Sequence, residues 1–221
     1  MRTVIFDLDG TLADTSGDLI AAANTCFVDM GVGAMLDPDE DAGTALRGGR
    51  AMLTLGLARL DQKRDKATLD HYYPKLLAAY AQAIDVHTTL YPGAMEAVEV
   101  LSSNGYGVGI CTNKPEALAD LLLRRLGVRD KFGSMIGADT LKVRKPDPEP
   151  LREAARRAGG DPAQCLLVGD SDTDHNTARA AGVPSVLVTF GPAGGDMAAL
   201  QPDAMLSSFG ELPELVRGLI G

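Results

Sequence analysis

The sequence predicts an α/β fold: a parallel sheet core with helices on both faces, interrupted after its first strand by an all-helical block. Three observations predict it. The chain opens on a short apolar run, Val4-Ile5-Phe6, of β-branched and aromatic residues. Residues 15–86 then carry only helical periodicity. From Tyr91 onward, short apolar runs alternate with amphipathic stretches, the rhythm of a parallel sheet covered by helices. A length of 221 residues suits one α/β domain with a sizeable insertion, or two small domains.

The elements follow in order. After the first strand, Leu19, Ile20, Ala23, Phe27 and Met30 share a helical face, with Ser16 as the expected N-cap and Gly31 as the stop. Asp37-Pro38-Asp39-Glu40 reads as a helix start by its proline and acids. Arg47-Gly48-Gly49-Arg50 interrupts the helix, and Met52, Leu53, Leu57 and Leu60 resume it. From Thr68, the residues Leu69, Tyr72, Leu76, Tyr80 and Ile84 mark a further amphipathic helix. Beyond Tyr91-Pro92-Gly93, Met95, Val98 and Leu101 lie on a helix that Asn104-Gly105 ends. Strands are expected at 107–111, 135–137, 165–168, 183–188 and 205–206. The intervening helices run from Pro115, from 150 to 158 and from 173 to 181, with a closing helix at 212–220. Gly191 to Gly195 reads as a surface loop. The expected organisation is a Rossmann-like core at 1–14 and 87–221, with a helical block at 15–86.

Bulk composition narrows the function. A net charge of −9 argues against non-specific nucleic-acid binding and repels anionic substrates at long range. Any phosphate site must therefore be made locally, from a cation, a lysine and backbone N–H groups. Cys26, Cys111 and Cys165 form no CxxC pair and sit among apolar or small neighbours, as buried free thiols do. The chain enters a strand at once, with no leader-like segment, and no apolar run approaches the length of a membrane span. The expected location is the cytoplasm, with no membrane partner, as a monomer or a homodimer.

In an open parallel sheet, ligands bind beyond the carboxyl ends of the strands. The residues there are Asp7 and Asp9 after the first strand and Thr112-Asn113-Lys114 after the 107–111 strand. Gly169-Asp170-Ser171, with Asp172 and Asp174 close behind, follows the 165–168 strand. Lys145, in the stiff stretch Lys145-Pro146-Asp147-Pro148, is the remaining cation. Each alone has an ordinary reading: an Asp-Gly turn, a strand-end threonine, a surface lysine, a helix cap. Together they suit a phosphoryl group and a divalent cation, since carboxylate oxygens hold hard cations while Thr112 and Lys145 donate to phosphate oxygens.

The stretches Asp7-Leu8-Asp9-Gly10-Thr11-Leu12, Thr112-Asn113-Lys114, Lys145-Pro146-Asp147-Pro148 and Gly169-Asp170-Ser171-Asp172-Thr173-Asp174 resemble the four ordered motifs of the haloacid dehalogenase-like hydrolases. The helical block resembles the cap that this family inserts after its first motif. Within the family the chain is most similar to phosphoglycolate phosphatases, on Arg47-Gly48-Gly49-Arg50 and on the closing stretch from Pro202-Asp203-Ala204 to Leu212-Pro213. His175 departs from the pattern, in which an aliphatic residue follows the acid, and is expected to affect packing.

The resemblance implies a Mg²⁺-dependent phosphatase acting on a small phosphate ester, best matched by 2-phosphoglycolate. Asp7 would be the nucleophile that forms an aspartyl-phosphate. Asp9 would protonate the leaving alkoxide and later deprotonate water. Mg²⁺ would be held by Asp7, by the backbone carbonyl of Asp9 and by Asp170, with Ser171 and Asp174 behind them. Thr112, Asn113 and Lys145 would bind the phosphoryl group, and Arg47 or Arg50 would meet the substrate carboxylate. A sugar-phosphate phosphatase or a β-phosphoglucomutase-like phosphotransferase shares these motifs. Pyrophosphate or a nucleotide as substrate is ranked lower, as is a phosphorylatable or inactive binding scaffold. The acid at position 9 argues against dehalogenation. The first lysine of the helical block, Lys63, lies past the Gly-Gly loop, which argues against Schiff-base phosphonate chemistry.

Overall fold

The computed structural model describes residues 1–60, 66–191 and 197–221. Lys63 and residues 192–195 of the expected surface loop lie outside them. The chain divides into two compact units, Met1–Ala13 with Leu90–Gly221, and Asp14–Thr89. It passes between them within β2 (Ala13–Asp14) and β3 (Thr89–Leu90), which pair as a small separate sheet not expected from the sequence. Two-residue strands carry no readable periodicity.

The first unit is built on six parallel strands in the order β5-β4-β1-β6-β7-β8. These are β1 (Thr3–Phe6), β4 (Gly107–Cys111), β5 (Ser134–Ile136), β6 (Cys165–Gly169), β7 (Ser185–Val188) and β8 (Ala204–Leu206). β1 is central, and every one of its residues is buried, which explains its uninterrupted apolar sequence. Phe6 lies level with Ile110 of β4 and Val168 of β6. The chain winds from β1 to one side through β4 and β5, then returns to the other through β6, β7 and β8. The crevice for a ligand therefore opens at the carboxyl end of β1, where the winding reverses.

Helices α5 (Ala94–Ser103), α6 (Glu116–Arg125), α7 (Glu149–Arg157), α8 (Asp172–Ala181) and α9 (Leu212–Ile220) cover the sheet. Ile5, Cys111 and Leu167 form one core with Leu151, Ala154 and Ala155 of α7 and Ala178 of α8. α5 and α9 pack on β4 and β6 and against each other. Strand 183–188 of the sequence reading begins only at Ser185, because Pro184 has no N–H to give a ladder.

The second unit is all-helical among its described residues between Thr15 and Thr88: α1 (Ser16–Asp29), α2 (Ala42–Ala45), α3 (Gly49–Arg59) and α4 (Lys66–Gln82). Two local expectations fail. Ser16 is not the N-cap but the first helical residue, and its hydroxyl and N–H both donate to Asp14 Oδ1. Asp37-Pro38-Asp39-Glu40 is not a helix start. Asp37 Oδ1 accepts from the N–H groups of Asp39 and Glu40, and Asp41 Oδ2 accepts from Asp37 N–H, so the acids close a turn and α2 begins at Ala42. Gly48 does break the chain, at φ 93°. Gly56 lets α3 approach α1: a Cβ there would lie 2.1 Å from the Phe27 ring.

Candidate active site

The first strand delivers Asp7 one residue beyond its last ladder position. Asp7 N–H donates to Val168 O at 2.8 Å, so backbone pairing to β6 fixes its place. Leu8 N–H donates to Asp7 Oδ1 at 2.7 Å, which orients the carboxylate. The turn that follows is closed by bonds from Leu12 and Ala13 N–H to Leu8 O, with Gly10 at φ 76°. Thr11, inside this turn, sends its hydroxyl to Asp170 Oδ1 at 3.2 Å and so ties the first motif to the end of β6.

Lys145 is almost fully enclosed, with its ammonium 2.6 Å from Asp174 Oδ1 and 3.1 Å from Asp7 Oδ1. Its backbone carbonyl accepts from the Asn113 amide at 3.1 Å, and the bond to Pro146 is cis. Asn113 therefore reaches the site through the Lys145 loop. Thr112 is buried, and its hydroxyl accepts from Lys114 N–H at 3.1 Å. Asp174 belongs to a capping box at the start of α8. Its Oδ2 accepts from the Ser171 hydroxyl at 2.5 Å, and the Ser171 hydroxyl accepts from Asp174 N–H. Gly169 is required beside it, because a Cβ at that position would lie 2.3 Å from Asp174 Cβ.

One carboxylate oxygen from each of Asp7, Asp170 and Asp174 lies within 4.8 Å of the other two. The electrostatics follow from that crowding. Burial pushes the Asp7 carboxyl up to about 6, against the opposing pull of Lys145, with the Asp174 and Asp9 charges adding to the rise. Asp170 is raised well above the ordinary carboxylate range by burial first, then by Asp174 and Asp7. Burial alone would lower the Lys145 ammonium, but Asp174 and Asp7 overcome it and hold the lysine charged. Three acids and one ammonium leave an excess of negative charge. Hard oxygen donors so placed fit a small divalent cation. Both oxygens of Asp174 are already engaged by Lys145 and Ser171, so Asp7 and Asp170 are the donors with room for it.

The structure thus gathers Asp7, Asp9, Lys145, Asp170, Ser171 and Asp174 around the end of β1. Arg47 and Arg50 belong to the helical unit. Arg50 is exposed, 2.7 Å from Asp70 and stacked over the Tyr73 ring. Arg47 is exposed and has no ion pair among the described residues. His175 Nδ1 lies 3.0 Å from the hydroxyl of Ser185, at the start of β7 and away from the carboxyl ends of the strands. Sequence reasoning placed Lys114 at a strand end but gave it no role. Its ammonium lies 2.7 Å from Asp9 Oδ1, and its side chain is 4% exposed. The signal was the third residue of Thr112-Asn113-Lys114, a lysine in a strand-end turn that had no evident reason to be buried. All three cysteines are buried free thiols, and burial pushes Cys26 up, Cys111 up to about 12 and Cys165 up to about 11, which disfavours the reactive thiolate.

Residues 4–188 match the family model for haloacid dehalogenase-like hydrolases. The chain is 38% identical to a phosphoglycolate phosphatase of Mesorhizobium japonicum, over 98% of this chain and 96% of that one. It is 36% identical to a phosphoglycolate phosphatase of Agrobacterium fabrum, over 98% and 93%. The crystal structure of a predicted phosphoglycolate phosphatase from Haemophilus somnus superposes with a TM-score of 0.83 at 24% identity, over 97% of each chain, and shares the fold. No described helix is long and apolar enough to cross a membrane. The ordered strand-end motifs, the parallel sheet that gathers them and the match over most of the length agree: the chain belongs to the haloacid dehalogenase-like hydrolase family.

Proposed function

We propose that this hydrolase is a Mg²⁺-dependent phosphatase that converts 2-phosphoglycolate to glycolate and phosphate. The observation that carries the reading is the arrangement at the end of β1. Asp7, oriented by Leu8 N–H, stands 3.1 Å from the buried Lys145 ammonium, with Asp9 two residues on. The names of the relatives support the choice of substrate.

Asp7 attacks phosphorus and becomes an aspartyl-phosphate, and the ester oxygen leaves with a proton from Asp9. Asp9 then takes a proton from the water that hydrolyses the acyl phosphate and returns phosphate and free Asp7. Lys145 and the Thr112 hydroxyl stabilise charge on the phosphoryl oxygens, the main demand of phosphoryl transfer. Asp174 holds Lys145 in place at 2.6 Å. Asp7, the Asp9 carbonyl and Asp170 would hold Mg²⁺, and its charge would offset that of the acid cluster and of the transferred group. The helical unit serves as the cap that reads the leaving group and excludes water. Of its two loop arginines, Arg50 is engaged by Asp70 and Tyr73, which favours Arg47 for that contact. The chain acts in the cytoplasm on a small soluble ester.

Phosphate release from a panel of small phosphate esters, with and without Mg²⁺, tests this reading. Phosphoglycolate is expected to rank first, with turnover lost on chelation of the metal. Asp7→Asn is expected to abolish turnover on every ester. A variant that kept a near wild-type rate would refute the nucleophile. Isomerised sugar phosphate in place of free phosphate would point to the phosphotransferase alternative.

A further inference from the structure

Among the described residues of the core unit, Lys114 is the buried lysine that the steps above do not use. It follows β4 by three residues and sits at 7% exposure. Its backbone is held at both ends, N–H on the Thr112 hydroxyl at 3.1 Å and carbonyl accepting from Ala138 N–H at 2.9 Å. Its ammonium is 2.7 Å from Asp9 Oδ1. A buried lysine is costly unless it meets a charge, and ordering a long flexible side chain adds to the cost. Asp9 meets that charge before substrate arrives.

The location matters more than the pairing. Under the proposed reaction, Asp9 lies within hydrogen-bond reach of the leaving oxygen, about 3 Å. Lys114 places a cation immediately beside that point. In phosphoglycolate the carboxylate is attached to the ester oxygen through a single methylene, so it arrives within an ion pair's reach of the same ammonium. We infer that Lys114 is a specificity-determining residue, which pairs with an anionic carboxylate on the leaving group and selects phospho-acids over neutral esters of equal size. The inference rests on the phosphatase reading of the site. It places a recognition charge on the core unit itself, in addition to whatever the helical unit contributes. A desolvated ammonium of this kind favours an anion strongly and rejects the neutral isostere, because the isostere cannot supply the charge.

The test compares 2-phosphoglycolate with 2-hydroxyethyl phosphate, for the wild type, Lys114→Met, Lys114→Gln and Lys114→Arg. Losses caused through Asp9 affect both esters alike, so the ratio of their kcat/KM values isolates the carboxylate contact. The wild type is expected to favour phosphoglycolate. Lys114→Met should lower the ratio about 10- to 100-fold, mainly through KM for phosphoglycolate, and Lys114→Arg should restore part of it. Lys114→Gln keeps a hydrogen-bonding partner for Asp9 and should lose the ratio too, which covers the case of a poorly folded methionine variant. Binding of 3-phosphonopropionate against propylphosphonate, neither of which is hydrolysed, should show the same loss of preference by calorimetry. Variants that release phosphate with the wild-type ratio overturn the inference and leave the phosphatase reading intact. A wild type that releases phosphate without favouring phosphoglycolate also overturns it. A wild type that releases phosphate from no ester overturns both.

Discussion

The carboxyl of Asp7 stands at about 6 against an ordinary 3.8, because burial withholds water from it and the Asp174 and Asp9 charges add to the cost, with Lys145 opposing. The consequence for stability has a definite sign. Between pH 4 and pH 6 the folded, metal-free chain binds a proton at Asp7 that the unfolded chain has released. Stability therefore falls as pH rises through that window, and stays lower above it. Asp170, raised in the same direction, steepens the fall. Asp7→Asn removes the charge and keeps the shape. In metal-free buffer at pH 7.5 it should be more stable than the wild type by about 1–3 kcal/mol in urea denaturation, a difference that closes near pH 4. Added Mg²⁺ should stabilise the wild type more than the variant. A variant less stable than the wild type at both pH values would show that the loss of the Lys145 contact outweighs the relief of crowding. The same residue shows what the sequence could carry at this scale. Asp7, Asp9, Lys145 and Asp170 were legible only as a set, since each alone has an ordinary reading and together they suit a phosphoryl group and a divalent cation. The partnership of Lys114 with Asp9 was not, since no periodicity relates positions 105 residues apart.

At the scale of the element, the strands of the parallel sheet were legible, whereas the two-residue β2–β3 pair and the Asp37–Asp41 turn were not. Cys165–Gly169 and Gly107–Cys111 are buried throughout, and an apolar run of only five residues set between turn signals is too short for a buried helix and reads as a strand. The Asp37–Asp41 segment misled because acids and a proline suit a helix start and a turn equally, and only side-chain bonds to backbone N–H groups decide. Asp18 is a second acid whose role lies in tertiary contacts. Within α1 it is nearly fully buried, and it accepts from His87 N–H, Thr88 N–H and the Thr88 hydroxyl at 2.8–3.0 Å. It joins the start of the helical unit to its end. Asp18→Ala strands those donors without a partner, and should cost about 2–4 kcal/mol in denaturant unfolding, whereas Asp18→Asn, which keeps one acceptor oxygen, should cost less. A loss below about 0.5 kcal/mol in the alanine variant would mean that water takes the place of the carboxylate.

The whole molecule sets a field that its site must work against. The net charge is −9, whereas the proposed substrate carries both a phosphate and a carboxylate. The attraction is short-ranged: Lys145 and Lys114 are both buried, and each is paired with an acid of the site. The repulsion is long-ranged, because it is summed over the whole chain. Salt separates the two. At about 10 mM ionic strength the screening length is about 30 Å, longer than the reach of any single pair, and the whole-chain charge is felt by an approaching anion. At about 150 mM it falls to about 8 Å, which removes most of the repulsion while buried pairs are screened much less. Raising KCl between these limits at fixed free Mg²⁺ should therefore raise kcat/KM for phosphoglycolate several-fold and leave that for a less charged ester changed by a smaller factor. This is opposite in sign to an enzyme that steers its anionic substrate. A decline with salt would show that positive potential at the mouth of the site dominates over the net charge.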